Sequence, residues 1–195
     1  MMSMQLPPTP QPQRLSRAQL ILGLYGTLAL AGVLVGAYRG DANIYTLPGD
    51  AVTVGRLLAS PLVGVGFGLG VVFLTRLSVH RFEWARVLHR EFRSLLGPLS
   101  EFEILLLALA SSVGEEFFFR GALLPAIGIW ASSGVFALLH IGPGKRYLPW
   151  TLSAFVIGLA MSILAQRMGD LGAPIAAHFT INFMNLRHIT RYELM

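Results

Sequence analysis

Long apolar runs separated by short polar and arginine-rich stretches make up most of the chain. A membrane span needs about 20 consecutive apolar residues, and six stretches qualify or come near: roughly 18–38, 57–75, 103–124, 130–141, 148–166 and 172–187. The two shorter ones, near 130 and 172, suit helices enclosed by others, which need not cover the full hydrocarbon thickness. The pattern predicts an all-α, polytopic membrane helix bundle of about six spans. Between the second and third runs, HRFEWARVLHREFRSLLGPLS sets Phe82, Trp84, Leu88, Phe92 and Leu95 against basic and imidazole groups at helical spacing, the pattern of an interfacial amphipathic helix. Residues 1–13, MMSMQLPPTPQPQ, are rich in Pro and Gln and are expected to form a disordered tail, leaving residues 14–195 as a single transmembrane domain. No charged segment with a small-residue cleavage site precedes the first apolar run, so that run is expected to stay as a span.

Composition agrees with the pattern. The 195 residues are 54% hydrophobic and 13% charged, with mean hydropathy +0.61, whereas a soluble domain carries about 25% charged residues. The net charge of +5 comes without a basic face interleaved with aromatics, so nucleic acid is not an expected partner. Starting from a cytoplasmic N-terminus, alternation of the spans leaves only Arg39, Arg56, Arg120 and Arg167 of the 15 basic residues outside or within the bilayer. The positive-inside rule therefore predicts both termini, and the amphipathic helix, on the cytoplasmic side. The absence of cysteine removes disulfides, thiolate metal ligands and cysteine nucleophiles. In the second span Gly64, Gly66, Gly68 and Gly70 alternate and predict close helix packing.

Against this background the stretch SVGEEFFFRG, residues 112–121, is anomalous. An ionisable group at mid-bilayer costs several kcal/mol and marks function; here two carboxylates and a guanidinium fall within six residues. Glu116 and Arg120 stand at i, i+4 with the acid N-terminal, the favourable order for an ion pair. Glu115 points about 100° away and lacks that partner, which leaves it available as a base. Further on, FALLH places Phe136 and His140 on one helical face, and HFTIN does so for His178 and Asn182. With a turn between Pro125 and Trp130, Glu115 and His140 each lie about 15 Å below it, and His178 lies about 10 Å below the turn at Gly172–Pro174 on the same side. All three can line one cavity holding a carboxylate, two imidazoles and a carboxamide, enough to activate water and stabilise an oxyanion.

GEEFFFRG, FALLH and HFTIN resemble the three motifs, E-E-x-x-x-R, F-x-x-x-H and H-x-x-x-N, of the CPBP intramembrane proteases, the group of the CAAX prenyl proteases and the bacterial Abi and bacteriocin-processing proteins. The likeness covers residues 101–187, a protease-like core, with the motifs in family order. It implies an intramembrane endopeptidase in which Glu115 and His140 activate the attacking water, Glu116 and Arg120 support the site, and His178 with Asn182 holds the oxyanion. The expected partners are the lipid bilayer and a membrane-anchored or lipidated protein or peptide: a prenylated tail, a bacteriocin leader or a C-terminal sorting helix. Length and the Ala, Leu, Gly and Arg bias suggest a bacterial inner membrane. No cofactor is firmly expected; a zinc ion, if one is used, would take Glu115, His140 and His178 as ligands, although no H-E-x-x-H is present.

Other readings compete. Phe136 reads as packing, and His80, His89 and His188, among arginines, as solvated. Asp170 follows Gly169 as in aspartyl intramembrane proteases, but Asp41 and Asp50 lie in a loop near the first two spans and are poor partners for it. Ser133 in ASSG gives a rhomboid-like serine reading that would leave Glu115 idle. A non-catalytic scaffold or immunity protein of the same fold would also keep these elements. A proton-relay transporter is disfavoured because no inverted repeat is visible.

Overall fold

The computed structural model describes residues 16–49 and 52–193; the expected tail at 1–13, with Arg14 and Asp50, lies outside them. Seven α-helices follow in order: α1 (Arg17–Arg39), α2 (Val54–Arg81), α3 (Glu83–Leu96), α4 (Glu101–Glu116), α5 (Leu124–Leu138), α6 (Leu148–Met168) and α7 (Gly172–Arg191). A π-helical turn, Phe117–Leu123, joins α4 to α5, and no strand occurs among the described residues. By length and apolarity four segments can cross a membrane: Arg17–Arg39, Val54–Arg81, Glu101–Leu138 and Lys145–Met168. Their outward faces carry Leu24, Leu34, Leu58, Leu62 and Phe73, all exposed, as a lipid-facing surface requires.

The third of these segments is a hairpin rather than a rod. Gly128 sits at φ 80°, ψ 172°, a conformation open to glycine and strained for other residues, and the chain reverses there. The rings of Phe119 and Phe136 consequently meet at 4.9 Å, where 17 residues of straight helix would separate them by about 25 Å. The reversal yields two crossings from one apolar run, so with α1, α2, α6 and α7 the bundle has about six, and α3 is the amphipathic helix beside it.

The π-turn leads into a proline. Pro125 has no N–H to offer the Gly121 carbonyl, and Arg39 from the end of α1 supplies the missing donor, bonding the carbonyls of Gly121 (3.1 Å) and Ala122 while pairing with Asp41. Gly32 of α1 lies so close to the Phe117 carbonyl that a Cβ there would come within 2.7 Å. Small residues and one long cation thus hold α1 against the segment that carries the anomalous charges.

Helix α7 is the most polar of the crossing helices, and other elements hold it at both ends. At its N-terminus the Gly172 N–H donates to Asp170 Oδ1 (2.7 Å) and the Ala173 N–H to Ser60 Oγ of α2 (2.8 Å). At its C-terminus Arg93 of α3 donates to the Ile189 and Thr190 carbonyls, both at 2.9 Å. Along its length Gly64 and Gly68 of α2 admit it so closely that a Cβ would stand 2.1 Å from the Ala173 carbonyl and 2.8 Å from that of Ala177. Gly66 and Gly70 face open space, so only half of the alternating glycines serve packing. His89 departs from the solvated reading: it is 4% exposed and donates to the Tyr192 carbonyl at 3.2 Å, because α3 turns this face against the end of α7.

Candidate active site

Helix α4, the π-turn, the short helix α5 and helix α7 bring Glu115, Glu116, Arg120, His140 and His178 together. Glu116 and Arg120 are almost wholly buried, at 0% and 1% exposure. Arg120 Nη1 donates to Glu116 Oε1 at 2.9 Å, Nη2 donates to the Gly158 carbonyl of α6 at 3.1 Å, and the guanidinium lies 4.5 Å above the Phe136 ring. Phe136, which reads in the sequence as packing, is therefore the platform on which the buried cation rests. Its ring also lies 4.3 Å from that of His140.

The histidines are oriented through their Nδ1 atoms. His140 Nδ1 donates to the Phe136 carbonyl one turn back (2.7 Å), and His178 Nδ1 donates to Glu116 Oε1 (2.7 Å). Such bonds fix the tautomer and aim the opposite nitrogen. Both Nε2 atoms point toward Glu115 Oε2, each at 3.9 Å, and that oxygen is buried without a hydrogen-bond partner. Three groups thus surround a gap that is too wide for a direct hydrogen bond and suits one bridging water. Trp150 stands edge-on to the His140 ring at 5.2 Å, and Thr151 Oγ1 donates to the His140 carbonyl at 2.8 Å; no sequence motif points to either residue.

Asn182 lies one turn beyond His178 and bonds elsewhere: its Nδ2 donates to Ser111 Oγ at 2.9 Å. Ser133 Oγ is buried without a partner and lies on the Gly158 side, with no imidazole bonded to it, so the serine reading lacks its base. Glu115, His140 and His178 are the donor types zinc takes, but tetrahedral bonds of 2.0–2.1 Å imply ligand atoms about 3.4 Å apart. Among the described residues no group of three or more His, Cys, Asp or Glu side chains is gathered closely enough to hold a metal ion. As they stand, these three do not fit one.

Asp170 is buried at the N-terminus of α7, where it bonds Ser60 (2.5 Å) and the Gly172 N–H, apart from both the Glu115 cluster and Asp41, which is held by Arg39.

The chain is 38% identical over 82 residues to an uncharacterized protein of Bacillus subtilis (strain 168), YpbD, covering 40% of this chain and 41% of that protein. It therefore spans well under half the length of this relative. No solved structure matches the chain. Residues 98–184 match the family model for the type II CAAX prenyl endopeptidase, Rce1-like, and every side chain of the cluster lies within these bounds.

Proposed function

We propose that the chain is an intramembrane endopeptidase that cleaves a peptide bond near the end of a membrane-anchored or prenylated protein, in a bacterial inner membrane with both termini cytoplasmic. The observation that carries the reading is the convergence of His140 Nε2 and His178 Nε2 on the unpartnered Glu115 Oε2. In this reading a water occupies the gap. Glu115 takes its proton as general base, and the lone pair of His140, whose Nδ1–H is committed to Phe136, accepts the second hydrogen bond and aims the water oxygen at the scissile carbonyl.

Two carboxylates and one guanidinium leave the buried cluster with one uncompensated negative charge, which a protonated His178 removes. Held by Glu116 through Nδ1, His178 then presents Nε2–H to the oxyanion that forms as water adds, and the second Nδ2–H of Asn182 joins it. The leaving amine takes its proton from Glu115 as the tetrahedral intermediate collapses. Arg120 holds Glu116 through the same Oε1 that orients His178.

The test uses full-length protein in nanodiscs and a farnesylated reporter peptide. Glu115→Gln should lower turnover at least about a hundredfold, the usual contribution of a positioned general base, and leave folding intact, while wild type stays active under strong chelation. Cleavage by Glu115→Gln at the wild-type rate sinks the reading. Activity lost with zinc and restored by it would make Glu115, His140 and His178 ligands instead. For the orientation, a cysteine placed at position 86 should be shielded from an impermeant thiol reagent in intact cells; labelling would invert the topology.

A further inference from the structure

Helices α4 and α7 run side by side and present two polar rungs one turn apart. Glu115 faces His178 on the first, and Ser111, four residues earlier, faces Asn182, four residues later, on the second. Ser111 is 2% exposed, and nothing assigns it a role.

Its hydroxyl hydrogen is committed, since Oγ donates to the Ala108 carbonyl of its own helix at 3.3 Å. Toward α7 it therefore offers only lone pairs. A carboxamide beside it can bond only by turning its NH2 end to the serine, as Asn182 does. With that end so turned, one Nδ2–H is spent on Ser111 and the other remains on the rung next to His178. With no acceptor at position 111, the amide could rotate about χ2 and present its oxygen, which would repel a developing oxyanion.

We infer that Ser111 is a positioning residue: it fixes the orientation of the Asn182 carboxamide so that an N–H faces the reacting carbonyl. The inference rests on the endopeptidase reading above.

The experiment is a double-mutant cycle in nanodiscs with the same farnesylated peptide, reading kcat, KM and melting temperature for Ser111→Ala, Asn182→Ala and the double variant. Asn182→Ala should lower kcat about a hundredfold, as loss of one oxyanion donor does. Ser111→Ala should lower kcat about tenfold with KM within about twofold, because a neutral hydrogen bond that only orients contributes less than the donor it orients. The double variant should match Asn182→Ala alone, because without the amide there is nothing left to orient. A merely structural serine would instead lower the melting temperature and multiply the loss in the double variant. Either that result, or a silent Ser111→Ala in a protein that Glu115→Gln inactivates, overturns the role of Ser111 and leaves the endopeptidase reading standing. Failure of the wild type to cleave, or full activity of Glu115→Gln, overturns both. Should Ser111→Ala not fold, Ser111→Cys, a far weaker acceptor of similar size, is expected to give the same loss of kcat, and wild-type turnover by it overturns the inference.

Discussion

Two buried acidic clusters sit along α7, one at its N-terminus and one about two turns in at His178, and they handle their charge in different ways. Asp170 is met by a hydroxyl and a backbone N–H. These are the donors of a helix cap, and around it the chain is stitched by main-chain bonds from Leu171 to Tyr45 and from Leu47 to Gly169. The Glu115–Glu116 pair is met by a guanidinium and two imidazoles, groups that carry or exchange protons. A cap needs donors that stay fixed, whereas a catalytic centre needs groups whose charge can change. The contrast separates an acid that holds a helix in place from acids to which the proposed function gives the chemistry, although all three carboxylates are buried and each has an oxygen without a partner.

The largest expected effect tests the ionic side of this contrast. Removing either Glu116 or Arg120 strands the other as an unpaired buried charge, which costs about 3–5 kcal/mol. Loss of Glu116 also frees His178 from its orienting bond, and loss of Arg120 strips Glu116 of its cation, so Glu116→Ala and Arg120→Ala should lose folded yield and turnover together. At the N-terminus of α7, Ser60→Ala takes a donor from Asp170 and an acceptor from the Ala173 N–H. A lost cap costs about 1–2 kcal/mol, so its melting temperature should fall less, and turnover per folded molecule should stay within a few-fold of wild type. Thermal melts and cleavage rates for the three variants side by side decide the matter. Equal activity losses at both clusters would erase the distinction.

Much of this arrangement can be read from the chain. Spans follow from hydropathy, and the counting of turns from Pro125–Trp130 and from Gly172 puts Glu115 and His140 about 15 Å and His178 about 10 Å down on the same side, because rise per residue is a property of helices in general. The reversal falls at Gly128 within the expected turn, the residue there that tolerates positive φ. What the sequence hides depends on partners distant along the chain. The π-turn rests on Arg39, more than 80 residues away, answering a carbonyl that Pro125 leaves open. The tie from Asn182 to Ser111 spans 71 residues. His89 looks solvated because periodicity gives α3 an apolar face without saying which groups lie against it; the end of α7 covers this one.

That last contact yields the smallest effect, and it extends the comparison to the C-terminal end of α7, which is capped by cations rather than an acid. Burial of His89 pushes its pKa below the usual histidine value, and Arg93, Arg76 and Arg90 push the same way against the opposing bond to the Tyr192 carbonyl. When α3 is released, His89 binds a proton near the ordinary value of about 6.5; when docked, it stays neutral to lower pH. Between those two values the released form binds more protons, so docking is strongest above about pH 6.5 and weakens as pH falls below it. Glu83, whose pKa is lowered by Arg86 and Arg90, titrates beneath this window and does not mask it. Hydrogen exchange of residues 83–96 in nanodiscs, corrected for intrinsic rates, should show protection a few-fold lower at pH 5.5 than at pH 7.5. In His89→Asn that difference should shrink, leaving the part due to His188, whose ring packs on His89 at 5.4 Å. Protection that rises on acidification would mean that the docked imidazole carries the proton, and that the arginines at this end of α7 do not exclude a further positive charge.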